Sequence, residues 1–311
     1  MRHFALAVLL PSAAMAEAPG VAADIAPVHS LVAMVMESMG EPALLVPGGA
    51  SPHDFALRPS DARALEAARL VILNGGGLAP AAERATGDLA PDAMRIELMA
   101  LPETHRLTAR EGAALETHVH DGAHEAEGHG HVEHPEDAGD DADPHGWLDP
   151  ANGKAWLAAI AASLGKADPE NADRYASNAA AGAARIDAAA DAAREVLAPV
   201  TGEPFLVAHD SLAYFEAAFG LTAAGAVAGL DAGAPGPRRV EAARAALEGS
   251  GADCVFTETG EPSPLAERIA EGTGARIAEI DPLGARLDPG PDLYPALIEN
   301  LARDMADCLA G

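Results

Sequence analysis

The sequence predicts an α/β fold of two lobes with mainly parallel sheets flanked by helices, joined by one long rigid helix. Three observations carry this. Short apolar runs alternate with helical patterns along the chain, as in parallel-sheet units. A central alanine-rich stretch contains no Pro after Pro169 and is weakened only at Gly182, and strand–helix units flank it on both sides. A length of 311 residues suits about two domains. With 75 alanines and only 4% aromatics, the cores must be built from Ala, Leu, Val and Ile, which favours helices packed closely on sheets.

Taken in order, residues 1–16 read as a secretory signal peptide. Arg2 and His3 precede an apolar run, which closes on Ala14-Met15-Ala16. That run is too short to span a bilayer. The mature chain would start near Glu17 with a net charge one unit more negative than the −28 of the whole chain. An N-terminal lobe is expected over 17–167. Ile25, Val28, Leu31, Val32, Val35, Met36 and Met39 have helical spacing, and strands are expected at 43–46, 70–73 and 94–98. A linking helix is expected over 168–198, with Asp168 as N-cap and Pro169 at the first helical position. Tyr175, Ala179, Gly182, Ile186, Ala190, Ala193 and Leu197 form its one apolar stripe. The C-terminal lobe, 199–311, holds strands at 205–208, 222–228, 254–257 and 276–280. A helix around 240–247 and a last helix over 292–309 belong to it as well.

Charge and cysteines narrow the setting. Twenty basic residues stand against 48 acidic ones, so the basic face that nucleic-acid binding requires is missing. The acidity reads either as solubility or adaptation to salt, or more sharply as attracting cations in part. Cys254 and Cys308 have no metal or redox spacing. In an oxidising compartment two lone cysteines more often pair than stay free, and this pair would staple the last helix to a sheet.

Two sets of residues carry chemistry. Residues 118–143 hold His118, His120, His124, His129, His131 and His134 among nine acids, with no Lys or Arg. This composition predicts a mobile loop that binds zinc, copper or nickel weakly. The second set is dispersed. His53 follows the strand at 43–46, His209 follows that at 205–208, and Asp281 follows that at 276–280; His145 precedes a helix. Open α/β sheets bind ligands at the carboxyl ends of their strands. Three imidazoles and a carboxylate would close a four-coordinate zinc site. His29 and His105 are read as structural, and Trp147 and Tyr214 as wall packing.

These motifs bring a resemblance. Ser51-Pro52-His53-Asp54-Phe55 with Arg58-Pro59-Ser60-Asp61, then 143–150 (Asp-Pro-His-Gly-Trp-Leu-Asp-Pro), then 209–215, Ile280-Asp281-Pro282-Leu283 and the acidic His-rich insertion are similar to one group. That group is the periplasmic zinc-binding proteins of high-affinity zinc uptake ABC transporters, within the cluster A-I solute-binding family. The resemblance spans the mature chain. It implies two similar lobes with a metal cleft between them, His53 and His145 supplied by the first and His209 and Asp281 by the second. It also implies a Cys254–Cys308 disulfide. The implied partners are a membrane permease and a cytoplasmic ATPase, the cargo is Zn2+, and the chain is a periplasmic monomer with no enzymatic activity. Manganese-importing relatives tend to carry a carboxylate at the position of His209. Zinc-binding relatives often place a Glu after the second strand, where this chain reads Asn74-Gly75-Gly76-Gly77-Leu78. The fourth ligand is therefore either Asp281 or water. Manganese or nickel transport, a surface adhesin and a zinc hydrolase are the alternatives.

Overall fold

The structure, a computed structural model, describes residues 18–110, 142–260 and 264–311. The expected signal peptide and all six histidines of the acidic insertion lie outside them.

The N-terminal lobe is built from β1 (Val21–Ala23), α1 (Ala26–Val35), β2 (Ala43–Leu44), α2 (Pro59–Ala67), β3 (Leu70–Leu73), α3 (Pro80–Leu89) and β4 (Met94–Glu97). Its strands are all parallel, in the order β2-β1-β3-β4. β3 reads Leu-Val-Ile-Leu and is wholly buried, as a central parallel strand covered on both faces must be. α1 is buried on every side, which fits its near-continuous apolar sequence. After α4 (Pro150–Ala167) and α5 (Ala172–Leu197) the same winding recurs. The second lobe has β5 (Phe205–His209), α6 (Ala213–Phe219), β6 (Ala223–Ala228), α7 (Pro237–Ser250), β7 (Cys254–Glu258), α8 (Pro264–Ala270), β8 (Arg276–Ile280) and α9 (Leu293–Leu309). Its parallel order is β6-β5-β7-β8. In each sheet the winding reverses beside the first strand, which leaves a crevice at the carboxyl ends.

The linking helix starts later than expected. Asp168 does not cap it: its N–H bonds the Leu164 carbonyl and so closes α4. Residues Pro169–Asn171 form a 3-10 turn, and α5 starts at Ala172. A residue before proline is pushed out of the α region, and Asp168 sits at φ −141°, ψ 77°. Its carboxylate takes the Asn171 amide and the Tyr175 hydroxyl instead of a backbone N–H. From Ala172 onward the expected stripe is buried as read, with Ala189 added. At 1.5 Å per residue, α5 is about 39 Å long.

The two lobes share one core. A continuous apolar cluster runs from β1 and β3 through α1, α4 and α5 to β5 and α9, while a smaller one fills the outer face of the second sheet. Polar ties cross between the lobes. Trp147 Nε1 donates to the Pro282 carbonyl at 2.8 Å, and the Tyr294 hydroxyl donates to the Trp147 carbonyl at 2.7 Å. Gly153 of α4 allows this approach, since a Cβ there would lie 2.5 Å from the Tyr294 hydroxyl. Tyr294 is fully buried and cannot swing away. Gly153→Ala is therefore expected to cost about 2 kcal/mol, overpacking outweighing the gain in helix propensity. Thermal unfolding reads it as a midpoint several degrees lower; an unchanged midpoint contradicts the close approach.

The disulfide is present, joining Cys254 at the head of β7 to Cys308 in α9 with Cα atoms 6.2 Å apart. His29 Nε2 donates to the Pro42 carbonyl and His105 Nδ1 meets Asp149, so both serve local structure.

Candidate metal centre

Three of the four dispersed residues come together. His53 stands in the loop between β2 and α2, His145 just before the turn Gly146–Leu148, and His209 is the last residue of β5. Their rings meet edge-on, with centroids 6.0, 5.5 and 5.1 Å apart. One potential donor atom from each lies within 4.8 Å of the others. Zinc–nitrogen bonds of about 2.0–2.1 Å in a tetrahedron need donor separations of about 3.4 Å. Side-chain shifts of about an ångström would close the triangle. The cavity beside them is about 10 Å³, walled by Pro52, Leu78, Trp147, Ser211 and Pro282. That is room for one water-sized sphere.

His145 is the most firmly held. It is buried, and Asp143 Oδ1 accepts both its backbone N–H at 2.9 Å and its ring Nδ1–H at 2.7 Å. The Asn74 amide donates to the Pro144 carbonyl at 2.9 Å and pins the same loop from the other side. This is the role of the acid-free loop after β3. Gly75, Gly76 and Gly77 all have positive φ, and they turn the chain so that Asn74 faces 143–145 while Leu78 reaches the cavity. Asp143 was expected to belong to the mobile loop at 118–143. It is instead fully buried, tied to His145, and belongs to the centre.

His209 meets an acceptor at each ring nitrogen: Glu258 Oε1 at 3.1 Å from Nδ1 and the Leu230 carbonyl at 3.0 Å from Nε2. A neutral imidazole has one N–H, so it can donate to one of them, and the carboxylate is the stronger acceptor. Burial works to raise the Glu258 carboxyl, but the His209 ring and the Ser211 hydroxyl outweigh it and hold it below the usual carboxylate range. Burial, joined by the neighbouring His145 and His209 rings, holds His53 down to about 4.

Asp281 departs from the expectation. It lies at the carboxyl end of β8 as read, but outside the group of three. Its oxygens accept the Ala285 and Arg286 backbone N–H groups at 2.8 Å each, so the carboxylate closes its own turn. Glu258 was missed. The strand was expected to end at 257, one residue short, and an acid closing the strand beside that of His209 was the available signal. Among the described residues no other group of three such side chains could hold a metal ion.

Two like-wound parallel sheets, joined by a long helix and facing each other across three imidazoles, define a two-lobed solute-binding protein. Residues 21–308 match the family described as zinc-uptake complex component A, periplasmic (ZnuA), and the chain belongs to that family. It is 40% identical to the high-affinity zinc uptake system protein ZnuA of Paracoccus denitrificans (strain Pd 1222), over 98% of this chain and 97% of the relative. A zinc-bound ZnuA deletion mutant has a similar fold, with a TM-score of 0.72 at 22% identity over 93% of this chain and 96% of that one. So does the solute-binding protein FpvC of Pseudomonas aeruginosa in complex with Mn2+, with a TM-score of 0.74 at 23% identity over 93% and 98%. The fold alone thus does not choose the metal.

Proposed function

We propose that this chain captures Zn2+ on His53, His145 and His209 and delivers it to the membrane permease and cytoplasmic ATPase of an ABC importer. The convergence of three imidazoles, drawn from both lobes, on one ion-sized cavity carries the reading. Imidazole donors suit zinc, whereas manganese favours oxygen. Asp281, whose carboxylate keeps lone pairs free beside the Ala285 and Arg286 N–H groups, or a water completes the coordination. The protein acts as a carrier, in keeping with the zinc-uptake family to which it belongs. It is exported with cleavage after residue 16 and works in the periplasm as a monomer of two lobes, 17–167 and 199–311. Among the described residues no helix is long and apolar enough to cross a membrane.

Zinc titration calorimetry at pH 5.5, in buffers of differing ionisation enthalpy, tests this. One ion per chain is expected to bind tightly, ahead of weaker binding by the histidine-rich segment. Zinc needs neutral imidazoles, and three ordinary ones would each release nearly one proton at this pH. His53, held down to about 4, is already neutral there and releases almost none. The tight phase should therefore release no more than about two protons. Without a tight phase the reading fails.

A further inference from the structure

We infer that Asp143 and Glu258 are positioning residues that fix the tautomers of His145 and His209 and set the centre's preference for a doubly charged ion. The inference rests on the zinc reading and adds to it. Neither carboxylate belongs to the group of three donors, yet each sits against the Nδ1 of one of its imidazoles, at 2.7 and 3.1 Å. Among the described residues the histidine is the one ion-pair partner of each, and no Lys or Arg neutralises either. Asp143 is wholly buried, and its Oδ2 has no hydrogen-bond partner among the described residues. A buried carboxylate so poorly satisfied is costly unless a positive charge lies close by. Three neutral imidazoles supply none. Two carboxylates just behind them match an ion of charge +2, whereas a monovalent ion would leave one negative charge over.

The tautomers follow from the same contacts. With Asp143 accepting Nδ1–H, the His145 Nε2 lone pair is left to face the cavity. At His209 the choice is contested, because the Leu230 carbonyl waits at Nε2. If Glu258 did not accept at Nδ1, the proton would settle on Nε2 and block that nitrogen as a donor.

The test measures Zn2+ and Ag+ affinity by chelator competition in the full chain and in Asp143→Asn and Glu258→Gln, which keep the shape and remove the charge. Zinc affinity is expected to fall about 10- to 100-fold. Coulomb energy scales with ion charge, so silver should lose about half as many decades. Imidazole ¹⁵N shifts of the metal-free chain should show His209 protonated at Nδ1, and at Nε2 in Glu258→Ala. Equal losses for both ions, unchanged zinc affinity in both variants, or an unaltered His209 tautomer would overturn this inference alone. Absence of a tight zinc site in the unaltered chain would overturn the zinc reading with it.

Discussion

His145→Ala should weaken tight zinc binding by at least about 100-fold, while removal of residues 112–141 should change it less than about threefold. Structural zinc sites gain on the order of 10–16 kcal/mol from four ligands, so one imidazole is worth about 3 kcal/mol or more. His145 is the choice because it is buried and held on both sides, by Asp143 and through the Asn74–Pro144 contact. The deletion must stop at 141. Ala142 pairs with Thr108, Asp143 holds His145, and the Arg110 guanidinium binds Asp210 and Glu216 across the lobes. A cut that removed Asp143 would damage the centre and credit the loss to the histidine-rich segment. Chelator competition on the two variants reads the result. Tight binding that survives His145→Ala, or disappears with 112–141, would move the zinc site out of the cleft.

That boundary illustrates what the sequence could and could not reveal. Strands with a solid apolar run, such as Leu70–Leu73, were legible to the residue, because burial on both faces leaves no other pattern. β1 was not, since Val21-Ala22-Ala23 is too short and too small-chained to stand out in an alanine-rich chain. The three histidines were legible because each lies in a local motif, though only His209 closes a strand, while His53 stands in the loop between β2 and α2 and His145 just before the turn Gly146–Leu148. The roles of the acids around them were not. Asp281 sits in as suggestive a motif, but its oxygens are satisfied by N–H groups four and five residues on, and spacing does not rank that local contact against a distant metal. Glu258 gains its meaning from tertiary contact alone, whereas Asp143 meets His145 two residues on, within its own motif. The low pKa of His53 likewise arises only once burial and two further rings surround it.

Removing the disulfide as Cys254→Ala with Cys308→Ala should lower stability by about 4 kcal/mol and leave zinc affinity within about threefold. The bridge spans a sequence separation of 54, and restricting a loop of that length in the unfolded chain is worth about 4 kcal/mol. In the folded chain α9 would stay docked. Leu297, Leu301 and Met305 remain in the shared core, Tyr294 keeps its tie to Trp147, and Arg276 still donates to the Cys308 carbonyl. The loss thus acts chiefly through the unfolded state. For a chain of 311 residues it amounts to a thermal midpoint about 6 °C lower. Glu258 stands at the far end of β7 from Cys254, about 13 Å away along the strand. The centre should therefore keep its geometry, and saturating zinc should raise the midpoint of variant and parent alike. Both cysteines are buried, so the double variant is a cleaner probe than reductant added to the folded chain. A midpoint within about 2 °C of the parent would mean that the shared core alone fixes α9. A large fall in zinc affinity would mean instead that the bridge holds the register of β7, and through it Glu258 behind His209.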